Sequence, residues 1–179
     1  MLKDQVGFSL IKQIVNTTLH TLYAHDQLLL DYPDPRSTAG ERSIVFRFGW
    51  YMLETLKNIP TLEWADLDCE YNRNQYHSKE LVYQRTGNSS AASHRVIPDL
   101  ILHQRRSNDN NLLVIEFKKR YASRYTKSND ISKLCAFTDP EKTYKYSFGL
   151  YLELEPHRAT VKVFRNGEHD TSLDFEFTP

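Results

Sequence analysis

Cysteine is scarce in this sequence. Cys69 and Cys135 are the only two, and their separation fits neither a CxxC pair nor a zinc-finger spacing. Isolated thiols are typical of proteins from a reducing compartment, so we expect a cytoplasmic protein. Both cysteines lie in apolar patterns, which predicts unreactive residues of the core.

Long hydrophobic runs and an excess of charge are also missing. No window approaches about 20 apolar residues, so we expect no membrane span, and the N-terminal stretch lacks the apolar run of a signal peptide. The 23 basic and 23 acidic residues cancel, so any attraction to nucleic acid must be local. The pattern GxxxxGK[ST] is absent, which argues against a P-loop and an ATP-driven motor.

The chain is long enough for one domain with its own core, and we predict a single domain over residues 1–179. Apolar residues recur at helical spacing over residues 5–30 and predict an N-terminal helix. The proline-rich stretch 31–40 breaks the chain. A second helix is predicted from Thr38 to about Asn58, where the sequence NIP stops it.

A change to period-two alternation follows the second helix and predicts strands. The first strand lies in LEWADLDCEYNRN, whereas residues 73–94 are polar and are predicted to form a loop. The rest is predicted to contain a hairpin over 96–120, a short helix from about Asp130 to Phe137, and strands in YKYSFGLYLELE, ATVKVFRNG and LDFEF. This order predicts an α/β (α+β) fold with a central mixed sheet flanked by helices.

The hairpin VIPDLILHQRRSNDNNLLVIEFKKR carries charged residues within its apolar strands. Its turn predicts a register in which opposed residue numbers sum to 215, with Leu100 opposite Ile115 on one face. The other face then pairs Asp99 with Glu116 and also carries Lys118. A solvated pair on an edge strand is the simpler alternative.

Two opposed carboxylates in apolar surroundings should share a proton or hold a cation. Oxygen ligands of this kind suit Mg²⁺ or Mn²⁺, which bind through one or two carboxylates together with water and phosphate. Lys118 can orient an attacking water or stabilise the charge that develops on a phosphate.

The segments Pro98-Asp99 and Glu116-Phe117-Lys118, with sixteen residues between them, resemble the PD-(D/E)XK signature of the restriction-endonuclease-like nuclease superfamily. The resemblance implies a Mg²⁺- or Mn²⁺-dependent nuclease, with DNA favoured over RNA as the substrate. Asp99, Glu116 and the Phe117 carbonyl would ligate the metal, and Lys118 would serve the attacking water.

The order of elements is also similar to that superfamily's αβββαβ core. The resemblance covers about residues 38–165, and the N-terminal helix over 1–30 would be an addition. Many members are similar in carrying a Glu on the first core helix, which makes Glu41 a catalytic or metal-binding candidate. The alternative for Glu41 is a capping box that begins at Thr38.

Further candidates surround this set. The acidic strand face of Asp66, Asp68 and Glu70 could widen the metal site, with Glu70 the best of the three, or could pair with Arg and Lys. The basic run after Lys118 would contact nucleic acid through Lys119, Arg120, Arg124, Lys127, Tyr121 and Tyr125, or form a solvated surface. His103 is more than about 10 Å from Asp99 along the strand, so we expect a structural role.

Three functional classes remain open. The first is a nuclease that turns over its substrate, the second is a nuclease-fold binding subunit of a restriction, defence or repair assembly without activity, and the third is a structural domain whose three charged residues form a surface network. The neutral charge and small size motivate the second class, because such a chain would need a partner to engage DNA, but the complete set of Asp99, Glu116 and Lys118 favours catalysis. A homodimer would suit cleavage of both strands, although no sequence pattern indicates an interface.

Overall fold

The computed structural model describes residues 1–31, 39–74 and 76–179. These ranges contain three α-helices: α1, Phe8–Asp26; α2, Glu41–Leu56; and α3, Arg124–Thr138. They also contain eleven strands: β1, Asp66–Cys69; β2, Arg73–Asn74; β3, His77–Ser78; β4, Glu80–Tyr83; β5, Ala92–Arg95; β6, Leu100–His103; β7, Leu113–Lys119; β8, Phe148–Glu155; β9, Arg158–Arg165; β10, Glu168–His169; and β11, Phe175–Phe177. None of the helices in these ranges has the length and apolar character needed to cross a bilayer.

The main sheet has the strand order β1-β6-β7-β8-β9-β10, and β11 also pairs with β9. Strands β7 and β8 run parallel, whereas the other pairs in this sheet are antiparallel. The connection between the parallel strands contains α3, as a parallel pair requires a crossover. The prediction of a mixed α and β fold around a central mixed sheet is confirmed.

The β6–β7 hairpin has the predicted register, in which the numbers of opposed residues sum to 215. Leu100 lies opposite Ile115, and Ile101 lies opposite Val114. The two faces of the hairpin contribute to separate hydrophobic clusters: Leu100 and Ile115 belong to the cluster of α1 and α2, and Ile101 and Val114 to the cluster of α3. Because side chains alternate along a strand, Glu116 follows Val114 on the α3 side.

The helix boundaries differ from the predicted ones. Helix α1 is shorter than 5–30, because short 3-10 turns at Leu2–Gln5 and Gln27–Leu29 flank it. Thr38, the predicted start of the second helix, lies outside the described residues, and α2 begins at Glu41. The α2 helix ends at Leu56, about a half-turn before the predicted end.

Helix α3 begins almost two turns before the predicted start near Asp130. Ser123 Oγ accepts a hydrogen bond from the Thr126 backbone N–H and caps the first turn. That first turn is polar, so it carries no apolar period to reveal it. As a result, Arg124 lies on α3 rather than in a loop.

The predicted loop over 73–94 is wrong, because this segment contains β2, β3, β4 and the start of β5. In β4, buried Leu81 and Tyr83 alternate with exposed Glu80 and Val82. Four residues are too few for this alternation to stand out from the polar sequence around it. The β4–β5 hairpin lies against α3, where Asn129 Oδ1 accepts a hydrogen bond from the Thr86 N–H at 2.9 Å.

Candidate active site

Glu116 is the buried centre of the site. It lies on β7, a strand flanked on both sides, and only 1% of its surface is exposed. Its Oε2 accepts a hydrogen bond from Lys133 Nζ at 2.7 Å, whereas its Oε1 is buried without a hydrogen-bond partner in the described residues. Burial raises the pKa of Glu116, and the nearby Asp99 charge adds to the rise against the attraction of Lys133.

Asp99 stands directly before β6, next to the end of β7. Its Oδ2 accepts a hydrogen bond from the Phe117 backbone N–H at 2.8 Å, which joins the two strands beyond their last pair. Burial raises the pKa of Asp99 to about 6, although the Phe117 hydrogen bond and the ammonium groups of Lys118 and Lys133 act against this. The sequence-predicted acid pair is therefore brought together at one end of the hairpin.

Lys118 lies between carboxylates from two helices. Its Nζ is 3.1 Å from Glu41 Oε1 and 2.9 Å from Asp130 Oδ2, and it donates a hydrogen bond to the Phe117 carbonyl at 2.9 Å. Burial lowers the pKa of Lys118, but these two carboxylates outweigh burial and raise it. The side chain is therefore an ammonium group held between two carboxylates.

Helix α3 contributes two residues that sequence reasoning missed. Lys133 Nζ bridges Glu116 Oε2 at 2.7 Å and Asp130 Oδ1 at 2.8 Å. Asp130 is buried, and its other oxygen faces Lys118. The sequence did contain a signal for this pair, because Asp130 and Lys133 are three residues apart on one helix face, next to the apolar Leu134.

Glu41 joins the cluster as the first residue of α2. Gly40 is the N-cap residue and has no side chain to cap the helix, and Glu41 Oε1 accepts a hydrogen bond from Lys118 Nζ. Thr38, the other half of the proposed capping box, lies outside the described residues. In the described structure Glu41 thus contacts the lysine of the predicted site.

Glu70 borders the site without entering it. It follows β1 with a φ of 48°, which ends the strand alternation, and its Oε1 pairs with Arg42 Nε at 2.7 Å. Its backbone N–H donates to the Asp99 carbonyl at 3.1 Å. Together with Asp99 and Glu41, it lines a cavity of about 490 Å³.

The other two acids of this strand form structural pairs. Asp68 Oδ2 is 3.0 Å from His103 Nε2, and Asp68 Oδ1 is 2.5 Å from Arg105 Nη2. Burial would raise the pKa of Asp68, but its bonds to His103 and Arg105 outweigh burial and hold that pKa well below its usual range. Asp66 Oδ2 accepts from the Arg105 backbone N–H. These acids therefore stabilise the β1–β6 edge.

Most of the predicted basic run makes contacts within the protein. Arg120 Nη1 is 3.3 Å from Glu155 Oε2, Lys127 Nζ is 2.9 Å from Glu153 Oε1, and Lys119 donates to the Ala39 carbonyl. Arg120 stays exposed despite its ion pair, and so do Arg124, Tyr121 and Tyr125.

The prediction of core cysteines is wrong for Cys69 and holds in part for Cys135. Cys69 is exposed because it ends an edge strand, whereas Cys135 is partly buried on α3 and packs against the hydrophobic cluster of that helix. Burial of the sulfur atoms nevertheless raises the pKa of both thiols, which disfavours the reactive thiolate.

A divalent cation such as Mg²⁺ can bind through one or two carboxylates and take the rest of its coordination from water and phosphate. Residues 1–31, 39–74 and 76–179 contain no group of three His, Cys, Asp or Glu side chains that could hold a metal ion. The buried Glu116 Oε1 lacks a partner in these ranges, however, and Asp99 lies beside it. Four carboxylates and two ammonium groups leave two uncompensated negative charges when all are ionised.

Comparisons with family models, curated proteins and solved structures find no match to this chain. Any functional conclusion therefore depends on the geometry of the cluster.

Proposed function

We propose that this chain is a divalent-metal-dependent nuclease that hydrolyses phosphodiester bonds of nucleic acid, with DNA favoured. The observation that carries the proposal is the buried Glu116 Oε1, unpartnered in the described residues and beside Asp99, with the Lys118 ammonium at the same strand end. The chain order α2, β1, β6, β7, α3, β8 supports a restriction-endonuclease-like αβββαβ core.

The cofactor would be Mg²⁺ or Mn²⁺, held by Asp99, Glu116 and the Phe117 carbonyl. When bound, such an ion supplies charge stabilisation at the phosphate and lowers the pKa of a coordinated water. Glu41 contacts Lys118 rather than this acid pair and holds the ammonium in place.

Lys118 would stabilise the negative charge that develops on the phosphate during in-line attack by water. Asp130 and Glu41 hold its Nζ at 2.9 and 3.1 Å, so the ammonium is oriented before a substrate arrives. Lys133 has a different role, because it stabilises the buried Glu116 carboxylate and keeps Asp130 aligned toward Lys118.

Cleavage assays test this proposal. Plasmid, linear duplex, single-stranded DNA and RNA would be incubated with Mg²⁺ or Mn²⁺. We expect Asp99→Asn and Lys118→Gln each to lower the cleavage rate by about 100-fold or more. Asp109→Asn is the matched control, because it makes the same change at an exposed position of the β6–β7 turn. Cleavage by all variants at the wild-type rate would discard the assignment.

One observation favours a second candidate, a binding subunit without turnover. The Lys133 ammonium lies 2.7 Å from the Glu116 carboxylate and compensates its charge, so less negative charge is left for a metal ion to neutralise. Titration calorimetry with Mn²⁺ separates the two functions. Heat that disappears in Asp99→Asn supports the nuclease, and nucleic acid binding without any Mn²⁺ heat supports the binding subunit.

A further inference from the structure

Two cavities meet at the candidate site, one on each side of Ile97. A cleft of about 310 Å³ lies between the β4–β5 hairpin and α3, and the 490 Å³ cavity lies between the start of α2 and the end of β1. Ile97 lines both and is 52% exposed, although it is a large apolar residue. Asp99 lines the second cavity and Lys118 the first, so each cavity contains one residue of the proposed site.

The first cavity is cationic, and we call it the basic cleft. Its lining includes Arg85, Arg95, Lys118 and Lys133, and its one acid among the described residues is Asp130. Both Asp130 oxygens already face lysines. Glu41 and Glu116 pair with the same two lysines, so the positive charge that the described residues leave unpaired in the basic cleft is that of Arg85 and Arg95.

Arg95 has no ion-pair partner among the residues that the structure describes. It lies opposite Glu80 in the β4–β5 pair, yet Glu80 Oε2 accepts a hydrogen bond from Ser93 Oγ instead. Within the described parts of the chain, neither Arg95 nor Arg85 makes an ion pair. Arg85 contacts the Tyr83 hydroxyl, at 3.4 Å. Two guanidinium groups beside a lysine are well suited to phosphate oxygens.

The second cavity has an apolar wall, and we call it the walled cavity. Val45, Phe46 and Ile97 form this wall beside Asp99. Phe46 is 60% exposed, so its ring offers a free face. Aromatic and apolar faces of this kind stack on nucleobases regardless of their sequence.

We propose that the two cavities bind adjacent nucleotides of one unpaired strand, and this inference rests on the proposed nuclease function. The basic cleft takes a backbone phosphate, and the walled cavity takes the base of the neighbouring nucleotide, with Ile97 between them. A base inside a duplex is stacked and paired and would have to leave the helix to enter the walled cavity. The substrate is therefore single-stranded at the cleavage point.

Binding without cleavage tests the inference independently of catalysis. The wild-type chain in EDTA would be titrated against a fluorescent 12-nucleotide single strand and the duplex of the same sequence, with anisotropy as the readout. We expect the single strand to bind at least about tenfold more tightly. Arg95→Gln and Phe46→Ala should each weaken single-strand binding by about fivefold or more, and Arg95→Gln should also lower the salt slope by about 0.7.

Matched controls are Arg106→Gln, at the exposed β6–β7 turn, and Leu53→Ala, an exposed apolar residue two turns along α2. Equal affinity for duplex and single strand, or variants that behave like these controls, would overturn the inference. Metal-dependent cleavage that prefers duplex would leave the nuclease proposal intact and remove the inference alone. Strong single-strand binding with no cleavage would leave the inference about strand binding intact and contradict the nuclease proposal.

Discussion

At the residue scale, the site depends on how buried charges are paired. Glu116 and Asp130 share the Lys133 ammonium, and Asp130 in turn holds Lys118. A buried charge that loses its partner is strongly destabilising, because the desolvation penalty stays while the attraction is lost. The two lysines are therefore not equivalent: Lys118 contacts Glu41 and Asp130, whereas Lys133 contacts the buried Glu116 and Asp130.

Replacing Lys133 tests this division. We expect Lys133→Met to lower the free energy of unfolding by about 3 kcal/mol, since it removes the ammonium that two buried carboxyl groups share. The control is Lys142→Met, because Lys142 forms a more exposed pair with Asp139 at 3.6 Å with the same spacing of three residues. That control should change the stability by less than about 1 kcal/mol. Urea unfolding measures both, and equal effects would contradict the prediction.

At the element scale, α3 packs closely on β8 through Gly149. A Cβ added at Gly149 would lie 3.1 Å from Thr138 Cγ2, 3.2 Å from Leu134 Cδ2 and 3.3 Å from Phe164 Cβ. Thr138 and Leu134 belong to α3, which also carries Lys133. The absence of a side chain at Gly149 thus sets the distance between the helix and the sheet.

Gly149→Ala should push α3 away from the sheet. We expect a loss of about 1–3 kcal/mol in unfolding free energy, as in other overpacked cores, together with slower cleavage because Lys133 moves with the helix. Gly7→Ala is the control, since its added Cβ would meet only Ser9 Oγ, at 3.8 Å, among the described residues. Thermal unfolding and the cleavage assay measure the two effects. An unchanged Tm would show that the helix–sheet interface accommodates the added methyl group, and it would contradict the prediction.

The sequence predicted the hairpin register well, but it did not predict the short strands or the site residues of α3. The Leu100–Ile115 register was predictable because one slip would expose both apolar faces of the hairpin. The strands over 73–94 were not, because each is short and half exposed. The spacing of Asp130 and Lys133 indicates a pair on α3, but it does not predict their partners Lys118 and Glu116, because pairing across elements leaves no local period.

At the scale of the whole molecule, Lys79 is a buried lysine that forms no ion pair within the described residues. Lys79 is 3% exposed, and its Nζ lies 5.0 Å from the ring centre of Tyr144 and 3.2 Å from the Tyr146 hydroxyl. Burial lowers the pKa of Lys79 to about 8. This residue joins the chain just before β4 to the aromatic cluster under α3.

The lowered pKa predicts how stability changes with pH. Between about pH 8 and the ordinary lysine pKa, the unfolded chain binds a proton that the folded chain releases, so folding becomes more favourable as pH rises. We expect Lys79→Met to be more stable than wild type at pH 7, and this advantage to shrink by about 2 kcal/mol by about pH 9.5. Urea unfolding at both pH values measures the difference. Lys57→Met, at an exposed site, should show no such trend, and a constant advantage for Lys79→Met would refute the pKa argument.

The parallel pairing of β7 with β8 has a consequence for the newly made chain. Glu116 leaves the ribosome before α3 and β8, and its Lys133 partner arrives only with α3. If the proposed activity is correct, we expect a nascent chain that lacks α3 to be inactive on nucleic acid, because Glu116 is then without its partner. Self-protection during synthesis would then follow from the order of strands, with no inhibitor required.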